Sequence, residues 1–157
     1  MYKEPRRKDR TIPEEEARAI LDRGEYGILA TVDADGQPYA LPISYILHNG
    51  SLYIHCGLKG HKVDNLAADS RVSFCVVGPT EPVMHPKGFS TYYESCVVFS
   101  TARMVSEPAE KHEALYALTR KYFPNEDESI RASIKQMDAA TLVYAVSIDN
   151  ITGKAKR

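Results

Sequence analysis

Tyr53-Ile-His-Cys-Gly-Leu-Lys-Gly-His-Lys-Val-Asp-Asn-Leu66 is the run on which the reading of this chain turns. It starts as a short apolar strand, passes through a turn holding Gly57 and Gly60, and enters a helix that opens with His61 and Lys62. The first turn of a helix carries backbone N–H groups without intrahelical partners and the positive end of the macrodipole. Lys62 and His61 in that turn, with Lys59 just before it, add positive charge to positive charge. An anion among them relieves the repulsion, and a phosphate fits the geometry. Three solvated basic side chains are the plainer alternative, and the segment alone does not decide between the two.

Outward from this run the hydrophobic period is mostly two. Upstream lie a strand at Tyr26–Val32, a turn at residues 33–36, and a second strand at 37–47. A tight hairpin at 48–51 then leads into a third strand at 52–56. Downstream, the helix His61–Ala68 turns Val63, Leu66 and Ala67 inward. A fourth strand spans 71–77, a long extended run 91–105, and a last strand 142–148. Residues 78–89 contain Pro79, Pro82 and Pro86 and are expected to be a loop. Thr11 to Glu14 has the form of a capping box, followed by Ala17, Ile20 and Leu21 on one helical face and Gly24 as a left-handed stop. Pro108 opens a helix carrying Leu115, Leu118 and Tyr122, and a shorter one bears Ile130, Ile134 and Met137. About six mostly antiparallel strands with peripheral helices give a mainly β (α+β) domain, a small closed or partly closed barrel. Residues 1–10 form a basic arm ahead of a single domain at 11–157.

The 157 residues are 43% hydrophobic and 26% charged, ordinary values for a soluble globular chain. No apolar run approaches the roughly 18 residues that a membrane span requires. The basic N-terminus has no apolar stretch behind it and does not read as a secretory signal. A net charge of −1 offers no global attraction for nucleic acid. Cys56, Cys75 and Cys96 are an odd set in apolar, strand-like runs, expected to be buried filler rather than disulfide partners or metal ligands. A cytoplasmic protein follows as the expectation.

Among residues able to carry chemistry, Pro42 stands inside the second strand, where it removes a ladder hydrogen bond and marks an edge or a bulge. Free backbone groups at Ile43, Ser44 and Tyr45, with a hydroxyl, could then bond a planar heteroaromatic ring; a plain edge strand is the alternative. His55 and Cys56 end the third strand beside the basic turn. His55 either bonds a ligand or is a core histidine satisfied by a neighbouring carbonyl. A metal site from His55, Cys56 and His61 matches no zinc spacing. No nucleophile elbow, Walker or dinucleotide fingerprint occurs, so hydrolase and NTPase readings lack support. On the long strand, Ser95 offers a hydroxyl and Tyr92 or Tyr93 an aromatic face. The basic segment at 152–157 is either a solvated tail or a cover for an anionic ligand across a subunit interface.

Taken in order, Arg7-Lys-Asp-Arg10, Ala30-Thr-Val-Asp-Ala-Asp-Gly-Gln-Pro-Tyr39, Pro42-Ile-Ser-Tyr45, Tyr53-Ile-His55, Gly60-His-Lys62, Tyr93-Glu-Ser-Cys-Val-Val98 and Ile151-Thr-Gly-Lys154 form a recognisable series. Together they resemble the pyridoxamine 5′-phosphate oxidase-like FMN-binding split barrels, in particular the branch related to 5-nitroimidazole resistance. The likeness extends over nearly the whole chain.

The resemblance implies a homodimer with FMN at the subunit interface; the balanced charge and the lack of an apolar span lead to the expectation of neither nucleic acid nor membrane as partner. The resemblance places the FMN phosphate on Gly60, His61 and Lys62, and the flavin ring beside the strand Pro42, Ile43, Ser44 and Tyr45. His55 and Cys56 line the site, Ser95 lies on a strand bordering the cofactor, and His61 matches a histidine tied to reactivity. The implied function is an FMN-dependent oxidoreductase acting on a small electron-accepting molecule such as a nitroaromatic. The alternative is a flavin- or haem-binding sensor or carrier without turnover, with His55 or His61 as the axial ligand of a haem. The tryptophan-containing C-terminal segment of the true oxidases has no counterpart, since the chain has no Trp, and the likeness does not extend to vitamin B6 oxidation.

Overall fold

The structure, a computed structural model, describes residues 2–157. The described residues form nine strands: β1 (Thr11–Ile12), β2 (Tyr26–Val32), β3 (Pro38–Ser44), β4 (Ile46–His48), β5 (Ser51–Cys56), β6 (Arg71–His85), β7 (Gly88–Met104), β8 (Leu142–Val146) and β9 (Asn150–Lys156). Four α-helices lie between them: α1 (Glu14–Arg23), α2 (His61–Ala68), α3 (Pro108–Tyr122) and α4 (Asp127–Met137). Hydrogen-bonded neighbours follow the order β3-β2-β6-β7-β8-β5-β4, with β9 between β7 and β1, and every pairing is antiparallel. Among the described residues no helix is long and apolar enough to cross a membrane.

The expected second strand is two strands, because the chain breaks at Tyr45. On one side β3 continues the path at β2; on the other, β4 ends the path beyond β5. Consecutive residues thus supply both ends of the sheet, which curls into a half-barrel about Tyr45. Its ring is fully buried, edge-on to Phe74 at 4.9 Å. Its hydroxyl donates to the Leu21 carbonyl, one of the last-turn carbonyls that α1 leaves without an intrahelical donor. Lys121 lies over the same ring at 4.0 Å and donates to the carbonyls of Gly24 (2.6 Å) and Tyr45 (3.0 Å). The ammonium also complements the negative end of α1.

Strand alternation then builds two cores. Leu52, Ile54, Tyr144 and Val146 face the barrel interior with Leu29, Phe74, Val76 and Val98. From the opposite faces of β5 and β8, Tyr53, Val143 and Ala145 pack beneath Ala114 and Leu115 of α3. This two-sided burial explains the nearly continuous apolar run before His55.

Several expectations from the sequence are corrected. Residues 78–89 are not a loop: β6 and β7 continue as a two-stranded ribbon past a register shift between Val77 and Thr80. The ribbon has open edges, so missing proline N–H groups cost it little. The C-terminal segment is not a tail but β9, and Gly153 there permits close approach, since a Cβ would lie 2.6 Å from Ile12 and 2.8 Å from Ala17. Thr11 joins β1 instead of capping α1, whose N-cap is Pro13 without a side-chain bond. Gly24 is extended, with φ −63°, not left-handed. On α2, Asn65 and Leu66 are the buried residues, and Asn65 donates to the buried Thr31 hydroxyl at 2.9 Å. Only Cys96 is fully buried; Cys56 and Cys75 are half-buried, and all three are free thiols.

Replacing Tyr45 with Phe leaves the Leu21 carbonyl without its donor inside the core. The expected cost is about 1–3 kcal/mol of folding stability, read as a lower urea midpoint at unchanged slope.

Candidate functional site

The basic turn sits where two-sided burial of β5 fixes its start and the Asn65–Thr31 bond fixes the helix that follows. Gly60 is the N-cap of α2 at φ +136°, a conformation L side chains rarely adopt, with open space where a Cβ would project. Its carbonyl accepts from the N–H groups of Val63 (2.8 Å) and Asp64 (3.1 Å). No side chain caps the helix. Lys62 is half-buried and joins no ion pair among the described residues. His61 packs its ring against Tyr39 of β3, centroids 4.1 Å apart and planes inclined by 32°. An uncapped N-terminus, a glycine that lets a ligand approach the backbone, and an unpaired lysine fit a phosphate monoester.

Lys62 also acts on the end of β5. Although His55 is solvent-accessible, the chain atoms crowding its ring desolvate it and push its pKa below the ordinary 6.5, and the Lys62 charge pushes it further the same way. The Cys56 thiol is pushed up by burial, against the opposing pull of Lys62. At neutral pH this makes His55 a neutral imidazole and Cys56 a protonated thiol. The satisfied-core reading of His55 is not what the fold shows: the residue is exposed and its ring has no hydrogen-bond partner among the described residues. His55, Cys56 and Gly57 instead line one side of an open cavity of about 370 Å³, with Leu115, Ile134 and Met137 of α3 and α4 on the other. Among the described residues His55, Cys56 and His61 do not gather into a cluster suited to a metal ion.

The strand Pro42 to Tyr45 does not present one surface. Alternation turns Pro42 and Ser44 outward, while Ile43 packs toward the core and Tyr45 is wholly buried with its hydroxyl engaged. A hydroxyl contact from Tyr45 to a ligand is therefore ruled out. The edge assignment for Pro42 holds, since β3 has β2 as its sole sheet neighbour along the described path and leaves its other edge open. Ser95 stands apart: it lines a cavity of about 290 Å³ with Lys3, Pro5, Val97, Phe99 and Lys154, sharing no residue with the cavity at His55. Tyr39 was missed as a site residue, although an aromatic flanking an edge proline was a usable signal. Leu115, Ile134 and Met137 read only as helical core stripes, and nothing in their spacing marks a cavity wall.

The family model described as pyridoxamine 5′-phosphate oxidase matches residues 13–155. No curated protein matches the sequence. Among solved structures, the FAD- and haem-binding protein of Mycobacterium smegmatis is similar at 28% identity and TM-score 0.81, over 92% of this chain and 72% of that one. A flavocytochrome of Azotobacter vinelandii shares the fold at 21% identity and TM-score 0.86, over 98% and 72% of the two chains. A candidate 5-nitroimidazole antibiotic resistance protein of Bacteroides thetaiotaomicron does so at 23% identity and TM-score 0.76, over 92% and 85%.

A histidine whose folded pKa is depressed binds its proton more readily when unfolded, so its contribution to stability is lost as pH falls below 6.5. NMR titration should place the His55 midpoint below 6.5, and Lys62→Gln should move it upward. A midpoint that Lys62→Gln leaves unmoved contradicts the action of Lys62 on His55.

Proposed function

Because the chain belongs to the pyridoxamine 5′-phosphate oxidase family, we propose that it is an FMN-binding flavoprotein, an oxidoreductase acting on a small electron-accepting molecule such as a nitroaromatic. The observation that carries this reading is the α2 N-terminus: Gly60 at positive φ, no side-chain cap, and Lys62 without an ion-pair partner among the described residues. The Lys62 ammonium and the first N–H groups of α2 hold the phosphate, each such charge–helix contact contributing about 0.3–2 kcal/mol. The open edge of β3 offers backbone groups to the polar rim of the ring. When bound, the flavin supplies the electron-transfer chemistry, for which the side chains of the chain have no equivalent. His61, held against Tyr39, is the proposed catalytic residue.

The reading includes a cytoplasmic homodimer with the cofactor at its interface. Three free thiols suit a reducing compartment. Ile28, Ala30, Cys75, Val97 and Phe99 give the outer sheet face a half-buried, largely apolar surface. In this reading Ser95, which shares no cavity with His55 in its own chain, borders the cofactor of the partner chain.

A second reading, a haem- or flavin-binding sensor or carrier without turnover, is favoured by His55: a neutral, unpartnered imidazole is suited to ligate iron. Anaerobic mixing with NAD(P)H separates the two, since the oxidoreductase reading expects rapid bleaching of the bound flavin and the carrier reading expects none.

Purified protein should be yellow and carry close to one flavin per chain. Lys62→Glu should weaken FMN binding at least tenfold, about 1.4 kcal/mol. A variant that retains FMN as tightly as the parent disproves the phosphate assignment.

A further inference from the structure

We propose that the cavity between the end of β5 and the helices α3 and α4 is the substrate compartment, built for an uncharged, largely apolar molecule that carries hydrogen-bond acceptors. Its assignment to the substrate rests on the flavin reading, in which His55 and Cys56 line the cofactor site; its preference in ligand chemistry is read from the walls. At about 370 Å³ it has the capacity of a small-molecule pocket. Leu115, Ile134 and Met137 make the far wall apolar, and no lining residue carries a carboxylate, an ammonium or a guanidinium.

The polar inventory of the walls sets the complementary chemistry. The hydroxyl protons of Thr119 and Thr141 are already given to the carbonyls of Leu115 (2.8 Å) and Met137 (2.9 Å). His55 and Ser133 also line the cavity, and neither has a hydrogen-bond partner among the described residues. A neutral imidazole has one N–H to donate and a serine one O–H, so the cavity offers two protons to acceptor atoms on a ligand. A cation is disfavoured, because the Lys62 charge that opposes protonation of His55 opposes any second positive charge there. Burial keeps Cys56 a thiol, a poor nucleophile, so the walls bind without bonding covalently.

The test uses [methyl-13C]methionine in the FMN-loaded protein. The chain has four Met; Met137 lines the cavity, while Met84 and Met104 lie on β6 and β7. Duroquinone is the probe, a neutral diketone whose fully substituted ring resists thiol addition. It should shift the Met137 methyl saturably and leave Met84 and Met104 unmoved, whereas the phenyltrimethylammonium cation should not shift Met137 at the same concentrations. Ser133→Trp, an exposed α4 position, should weaken duroquinone binding at least tenfold with FMN affinity unchanged. The Met137 response in the parent decides the question should that variant fail to fold.

An unmoved Met137, or equal binding of the cation, overturns the proposal. A Met137 shift caused by FMN alone, with FMN lost in Ser133→Trp, overturns it by giving the cavity to the cofactor and leaves the flavin reading standing. A protein that binds no FMN fails the flavin reading, and the substrate assignment falls with it whatever duroquinone does.

Discussion

Tyr45 interrupts a strand that would otherwise have run unbroken from Pro38 to His48, and the shape of the molecule follows from how that interruption is held. Its hydroxyl takes up an orphan carbonyl of α1, its ring fills the interior against Phe74, and Lys121 of α3 lies on the ring while bonding the Tyr45 carbonyl. Three parts that also pack together through their apolar faces, α1, the half-barrel and α3, meet in polar contacts at this one residue. Burial lowers the Lys121 pKa, with Asp22 and Glu25 resisting; a charge left there without its two carbonyls and the aromatic face would be costly. Because β3 and β4 leave Tyr45 in opposite directions around the sheet, β3 keeps one edge open and β5 is buried on both faces.

Those two consequences create the site. A strand buried on both sides fixes the point at which the glycine turn begins, and the Asn65–Thr31 bond anchors the helix after it. Several basic side chains pair locally, as in Arg7–Asp9, Arg18–Glu14 and Arg71–Asp69, surface pairs that contribute little to stability. Lys62, like Lys59, Lys154 and Lys156, has no carboxylate partner among the described residues; what distinguishes it is its place, half-buried in the first turn of an uncapped helix. An arrangement that disfavours the free protein and is relieved by an anion is the electrostatic signature of a binding site.

Much of this was legible in the sequence. Period-two runs located β2, β5 and the central part of β7, Pro108 located α3, and Gly60-His61-Lys62 located the helix start at the observed residue. Other features were hidden for physical reasons. The ribbon past Val77 was concealed by prolines, which a two-stranded edge tolerates and a central strand does not. The strand β9 reads as a basic tail because its outward residues are Thr152, Lys154 and Lys156, while its inward Ile151, Gly153 and Ala155 meet the barrel. The inward turn of Tyr45 and the cavity wall formed by Leu115, Ile134 and Met137 depend on elements distant in sequence, which no local pattern encodes.

The central claim is that the N-terminus of α2 recognises the phosphate of a flavin. Isothermal titration of FMN and riboflavin, which differ by that phosphate, into parent and Lys62→Glu protein tests it directly. The account predicts that the parent binds FMN at least tenfold more tightly than riboflavin and that the preference collapses in the variant while riboflavin affinity is retained. Equal affinity of the parent for the two flavins, or a preference that survives in Lys62→Glu, would contradict it.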